Sequence, residues 1–247
     1  STSLKFKLYE SADFAVLATC RIERIGSDRA VFACEIPASG AALREENVLI
    51  ADYTSGVSRF LAALTGPGGA LASLGQIGAV AFKTVLSRGF SGTHALTEDV
   101  KAGMRAMMTV APAHNGPYLE VIGVFENLLP GVPLIGAFET EFHQTIPAYR
   151  RVYPIPADWT RDYGIYKMGY HGASHGYVAL VTGEKGRVIS CHLGGSGSLC
   201  AILDGKSVDN SFGLSLQAGI PHNNRSGDID PFIIPYLLDM GLSPDQI

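Results

Sequence analysis

Five of the seven histidines in this chain, His143, His171, His175, His192 and His222, lie between positions 143 and 222. Three short polar segments rich in glycine accompany them: Gly169-Tyr170-His171-Gly172-Ala173-Ser174-His175, His192-Leu193-Gly194-Gly195-Ser196-Gly197-Ser198, and Asn224-Arg225-Ser226-Gly227-Asp228-Ile229-Asp230-Pro231. Glycine lets a backbone approach a ligand closely and turn its N–H groups inward, as a phosphate cradle requires. Arg225 supplies a planar, permanently charged fork that matches phosphoryl oxygens. An imidazole can donate to the same oxygens near neutral pH. Taken singly, each segment has a plainer explanation. A glycine loop after a strand is commonly a tight connection, and Arg225 beside Asp228 could be a surface ion pair worth about 0–1 kcal/mol. His171 and His175 are four apart and could share a helix face as metal ligands, but no HExxH glutamate and no evident third ligand accompany them. The joint occurrence of the three segments between positions 169 and 231 is what favours phosphate chemistry.

The elements that must hold these loops are legible in the apolar periodicity. Leu4, Phe6 and Leu8 alternate with polar residues as in a strand, and residues 14–25 and 30–36 are two more β-branched runs joined by the turn Gly26-Ser27-Asp28-Arg29. The first 36 residues therefore predict three antiparallel strands. Val57, Phe60, Leu61 and Leu64 recur at helical spacing before the stop Thr65-Gly66-Pro67-Gly68-Gly69. A strand over 77–86, a helix capped by Thr97 with Glu98 and Asp99 in its first turn, a helix through Leu119, Ile122, Phe125 and Leu129, and a buried strand over 132–138 follow. This alternation predicts an α/β fold with helices packed on a sheet. Residues 139–162 are polar, aromatic and punctuated by proline, and read as a junction. The expected organisation is an N-terminal α/β domain over 1–139 and a partial second α/β domain over 140–247 that carries the phosphate-binding loops. Strands over 188–192 and 198–203, closed by Asp204-Gly205, point to a duplicated architecture without a visible sequence repeat.

Composition removes other classes. Apolar residues make up 47%, enough for a buried core, while a net charge of −4 offers no basic field for nucleic acid or anionic lipid. The most apolar stretch, 121–138, is broken by Glu126, Asn127, Pro130 and Pro133, well short of the ~18 residues of a membrane span. Cys20, Cys34, Cys191 and Cys200 form no CxxC pair and lie in apolar stretches, which predicts buried, reduced thiols and a cytoplasmic compartment. Ser1 leads straight into a strand, and Ser243-Pro244 has the form of a helix start. Sequence is expected beyond both ends.

The same segments carry a family resemblance. Phe138-Glu139-Thr140-Glu141-Phe142-His143-Gln144-Thr145-Ile146-Pro147, the segments 169–175, 192–198 and 225–231, Ala111-Pro112-Ala113-His114-Asn115, and Ser1-Thr2-Ser3-Leu4-Lys5-Phe6 resemble, in order, the signatures of the acetokinase family of acetate and propionate kinases. The resemblance implies the duplicated ribonuclease-H-like fold shared with actin, Hsp70 and sugar kinases, in two domains of which the second is incomplete here. It implies transfer of the γ-phosphoryl of ATP to a short carboxylate, with Mg2+, in either direction. By resemblance Glu139, His171 and Arg225 are catalytic. Lys5 and the loop His192, Leu193, Gly194, Gly195 and Ser196 hold the nucleotide, and Ser1 and Ser3 line the phosphate path. Lys83, Val85, His114, Tyr170 and Leu216, with Ala113, form the substrate site. No metal ligand set can be assigned, because the family's metal-associated asparagine lies upstream of Ser1 and a second metal-associated glutamate and the adenosine segment lie beyond Ile247. A small carboxylate and a nucleotide are the implied partners, with neither nucleic acid nor membrane, and a homodimer is implied as well.

Departures from the family pattern accompany the match. Ala81-Phe82-Lys83 stands where the family has Gly-His-Arg, Glu139 where it has aspartate, Gly195 where it has asparagine, Tyr170 for phenylalanine and Leu216 for proline. Lysine keeps the charge of the substrate arginine but loses its bidentate geometry. The alternative reading that these departures support is a relative of the family that binds nucleotide or a partner without efficient turnover.

Overall fold

Leu4, Phe6 and Leu8 turn toward the interior from strand β1 (Leu4–Tyr9), while Lys5, Lys7 and Tyr9 face solvent, as the two-residue period requires. The computed structural model describes residues 3–183 and 185–247, so the assignment of Ser1 to a phosphate path falls outside the described residues. Strands β2 (Val16–Glu23), β3 (Ser27–Ile36) and β4 (Ala41–Ile50) continue an antiparallel meander in the order β1-β2-β3-β4. The fourth strand was not expected. Its run Arg44-Glu45-Glu46 conceals a sheet edge, where charged side chains are tolerated because one side of the ladder is unpaired. Cys20 and Cys34 are register partners across β2 and β3, with Cα atoms 4.0 Å apart, and are joined as a disulfide. This corrects the expectation of reduced thiols for that pair, and it removes their support for a reducing compartment. Cys200 is free and buried as expected, whereas Cys191 is free and exposed.

The chain divides into two compact units, one comprising residues up to Thr84 with His94–Arg105 and Pro112–Gly136, the other Val85–Thr93, Ala106–Ala111 and Ala137–Ile247. In the first unit, helix α1 (Tyr53–Thr65) opens at Asp52, whose carboxylate accepts the Ser55 N–H at 2.7 Å while the Ser55 side chain reaches back, a reciprocal cap. Val57, Phe60, Leu61 and Leu64 are buried, as their spacing predicts, and the helix stops before Gly66. The Phe60 ring stacks on Phe6 at 4.2 Å, which seats α1 on the sheet. Strands β5 (Val80–Thr84), β6 (Thr93–Ala95) and β7 (Leu134–Phe138) form a second sheet in the order β5-β7-β6. Helix α2 (Glu98–Ala106) is capped by Thr97, whose Oγ1 accepts the Val100 N–H at 3.5 Å. Helix α3 (Pro112–Leu128) starts earlier than its apolar stripe suggested, with proline at its first position. Lys101 ties the two helices together, its ammonium 2.6 Å from Glu98 and 2.5 Å from Glu126.

In the second unit the expected junction contains short helices α4 (Ala148–Arg151) and α5 (Ala157–Tyr163). Helix α6 (Gly172–Thr182) then leads to an antiparallel sheet of β8 (Arg187–His192), β9 (Ser198–Leu203) and β10 (Lys206–Asn210), in the order β10-β9-β8. Ala179 of α6 packs with Cys200 and Ile202, against Phe142 and Val188. Alternation along β8 and β9 puts Ser190, Ser198, Cys200 and Ile202 inward and leaves Ile189, Cys191, Leu199 and Leu203 outward. Helix α7 (Ile233–Asp239) precedes the anticipated start at Ser243. There the Gln246 N–H donates to Ser243 Oγ at 3.3 Å and the Ser243 N–H to Gln246 Oε1 at 2.8 Å, so the capping bonds form around a turn. Among the described residues no helix is long and apolar enough to cross a membrane.

Candidate functional site

The second unit gathers its polar residues where β8 turns into β9. His171 occupies the N-cap of α6 with φ 57° and ψ 30°, a left-handed conformation that a non-glycine residue adopts at a cost. Its Nδ1 lies 2.9 Å from Ser198 Oγ, and its ring stacks on His192 with centroids 3.9 Å apart. His192 Nδ1 in turn meets Ser174 Oγ at 2.9 Å. Arg225 reaches the same loop from the other side of its sequence: Nη1 donates to Ser196 Oγ at 2.8 Å and to the Leu216 carbonyl at 3.2 Å. Asp228 is occupied differently, accepting the Gly219 N–H at 2.8 Å. His171 and Arg225 are therefore both fastened to hydroxyls of the 192–198 loop. Within that loop Leu193, Gly194 and Gly195 are exposed, and a Cβ placed on Gly195 would meet nothing within 4 Å. That open space beside exposed loop backbone suits phosphate groups. The Gly197 N–H is turned away, donating to His222 Nδ1 at 2.8 Å.

Glu139 is buried beside this cluster. Its carbonyl accepts the Gly172 N–H at 3.0 Å, and its carboxylate lies 3.5 Å from the Ala173 N–H, at the positive end of α6. Among the described residues no three His, Cys, Asp or Glu side chains are grouped to hold a metal. Magnesium makes a weaker demand, one or two carboxylates with phosphates and waters completing its shell, and Glu139 meets that demand. Zinc does not fit His171 and His175, since both His175 nitrogens lie 2.8 Å from serine hydroxyls, Ser190 and Ser198. Burial holds His175, and likewise His143, down to a pKa of about 4, so both are neutral at pH 7. Tyr170 is also buried, its hydroxyl donating to the Leu214 carbonyl at 2.6 Å and its ring edge-on to Phe212. Leu216 and Val85 are buried in this unit as well.

The first unit carries a separate cavity of about 420 Å³. Ser3, Lys5, Lys83, Ala113 and His114, five of the positions singled out from the sequence, line it together with Tyr53 and Tyr118. Phe6, Phe82, Val121 and Phe125 supply its apolar wall. β1 and β5 present the two lysines on their solvent-facing positions, and the first turn of α3 presents His114. Two ammonium groups over aromatic and aliphatic walls suit a small anion with an apolar tail. The structure thus brings Ser3, Lys5, Lys83 and His114 together in one unit, and Glu139, His171, His192 and Arg225 together in the other.

Sequence reasoning missed Ser190, Ser198 and Ser174 as imidazole partners and His222 as the partner of Gly197. A signal existed for two of them: Ser190 and Ser198 stand at inward positions of strands whose other inward residues are largely apolar, where a hydroxyl must find a partner.

Comparison with known proteins places the chain in a family. The model of the acetokinase family matches residues 1–247. An acetate kinase from Shouchella clausii is 36% identical over 100% of this chain and 64% of its own length. A propionate kinase from Citrobacter rodentium is 36% identical over 100% of this chain and 62% of its own. The crystal structure of a propionate kinase from Francisella tularensis superposes with a TM-score of 0.84 at 31% identity, over 100% of this chain and 64% of that one. The chain thus spans slightly less than two thirds of the length of these relatives. With the α/β fold, the collinear signatures and the family match in agreement, the chain belongs to the acetokinase family.

Proposed function

We propose that this chain is part of a carboxylate kinase that moves the γ-phosphoryl group of ATP onto acetate or propionate, reversibly. The observation that supports this best is the attachment of both His171 and Arg225 to one glycine-rich loop, through Ser198 and Ser196. A short carboxylate is already ionised at pH 7 and needs no general base. One of its oxygens attacks the γ-phosphorus, the bond to the β,γ-bridging oxygen breaks, and that electron pair leaves with ADP. Alignment and donors at the equatorial oxygens must then do most of the work. In this reading His171 and Arg225 are those donors, while the loop from His192 to Ser196 and Lys5 bind nucleotide phosphates. Ser3 lines the phosphate path, and Lys83 and His114 orient the carboxylate beside Ala113. Val85, Tyr170 and Leu216 shape the acyl site. Magnesium, with Glu139 as its protein ligand, would neutralise phosphate charge when bound. A homodimer and a cytoplasmic location belong to the same proposal.

The test is acyl phosphate formation by the full-length gene product at saturating ATP and magnesium, trapped with hydroxylamine, with acetate, propionate and butyrate as acceptors. Acyl hydroxamate from acetate or propionate is the expected result. No product from any of the three rejects the proposal.

A further inference from the structure

The hydroxyl of Ser198 is shared by two imidazoles, His171 Nδ1 at 2.9 Å and His175 Nε2 at 2.8 Å, and His175 Nδ1 continues the chain to Ser190 Oγ at 2.8 Å. From these distances we infer that His175 is a positioning residue that fixes the tautomer of His171 through Ser198. The inference takes its meaning for catalysis from the proposed donor role of His171, but the tautomer itself can be observed without turnover.

A hydroxyl has one proton to give, and a neutral imidazole has one N–H and one lone pair. The row Ser190–His175–Ser198–His171 therefore has two self-consistent directions. In the first, Ser190 donates to His175 Nδ1, His175 Nε2–H donates to Ser198, and Ser198 donates to His171 Nδ1. His171 is left with its proton on Nε2, the tautomer that donation to a phosphoryl oxygen requires. In the second, every bond reverses, and a neutral His171 carries its Nε2 lone pair, which would repel the same oxygen. Donation by His171 to phosphate selects the first direction.

Three features hold this row in place. His175 is 0% exposed, Ser198 is 0% exposed and Ser190 is 4% exposed, so water does not compete for the bonds. Helix α6 carries both histidines one turn apart, and β8 and β9, paired through Ser190↔Cys200 and His192↔Ser198, carry both serines. The left-handed backbone of His171 fixes where its ring leaves the helix. Neutrality of His175 has an electrostatic cause as well as burial. Its ring lies 5.8 Å from His143 and 6.3 Å from His192, so a charge on it would sit beside two further basic rings. Burial pushes the His175 pKa down to about 4, in the same direction.

The experiment is a long-range 1H–15N correlation spectrum of the imidazoles in the intact, histidine-labelled chain, recorded above the histidine titration range. The wild type is expected to show His171 as a single Nε2–H tautomer. Ser198→Ala and His175→Phe should each introduce the Nδ1–H form of His171, while His175→Gln, whose amide N–H can donate to Ser198, should restore the single form. An Nδ1–H wild type, or an unchanged tautomer in either Ser198→Ala or His175→Phe, overturns the inference. Should His175→Phe fail to fold, His175→Leu takes its place with the same expected and contrary results. A protein that makes no acyl phosphate yet shows this tautomer pattern would remove the proposed function and leave the positioning role standing.

Discussion

Lys83 stands where the resemblance puts a substrate-binding arginine, and the difference bears on how an acceptor would be held. An ammonium attracts a carboxylate as a point charge, whereas a guanidinium holds it by two parallel bonds. If Lys83 orients the acceptor, Lys83→Arg should lower the KM for acetate by roughly five- to tenfold, about 1 kcal/mol of charge-assisted bonding. The kcat should move far less, and steady-state kinetics on the full-length gene product will tell. An unchanged KM would take Lys83 out of the acceptor site. His143 and His175 allow a second prediction. Both have folded-state pKa values of about 4, below the unfolded value of about 6.5, because burial penalises the cation. Between those two values the unfolded chain binds protons that the folded chain refuses, so stability is full above the unfolded value and falls as the pH drops toward 4. At pH 5 each contributes a loss on the order of 2 kcal/mol, and the pair somewhat less than the sum because their rings are neighbours. The urea midpoint should therefore drop clearly between pH 7 and pH 5. A flat midpoint would mean that the two imidazoles are not desolvated. At this scale His171 and Arg225 stood out in the sequence because their types and glycine-rich surroundings declare a possible chemistry, while Lys5 entered only through the resemblance. His222 and the serines did not stand out, since their roles depend on which ring nitrogen faces which hydroxyl.

Elements placed these residues, and one contact shows how tightly. Gly172 opens α6 with its N–H on the Glu139 carbonyl, and a Cβ there would lie 2.3 Å from that oxygen. Helix propensity favours alanine over glycine by about 1 kcal/mol. A backbone clash of this size costs more, roughly 1–3 kcal/mol, so Gly172→Ala should lower the melting temperature rather than raise it. Thermal unfolding of the variant checks this, and equal or greater stability would show that the strand end carrying Glu139 and the helix are not locked together. The helices α1, α2 and the body of α3 were readable from periodic apolar residues with caps. Helix α6 was not, because Gly172, Gly176 and His175 dilute its stripe, and its Ala179 packs on Cys200 and Ile202 of β9. β4 escaped for the opposite reason: a charged edge strand has no apolar alternation to display.

At the level of the molecule, the second unit leaves many large apolar side chains in solvent. Leu180 and Phe232 are each 77% exposed, Leu193 is 72% and Ile189 is 69%. Apolar exposure of this kind marks surfaces that bind something or associate. The 247-residue chain by itself should accordingly bind a hydrophobic dye such as ANS and self-associate at micromolar concentration. A monodisperse monomer that ignores the dye would contradict that expectation. No pattern in the sequence distinguishes these side chains from buried ones, because apolar type alone does not say what covers it. The α/β class followed from composition and periodicity, while the assignment to phosphate chemistry needed several loops taken together.

In the proposed mechanism an imidazole and a guanidinium act on one transferring phosphoryl group, and the kinetics of Arg225→Ala in the full-length gene product decide whether they do. Loss of a donor used only in the transition state predicts a fall in kcat of roughly a hundred- to a thousandfold, with the KM for ATP within a few-fold of wild type. A variant that retains wild-type kcat, or that loses only its affinity for ATP, would contradict the claim.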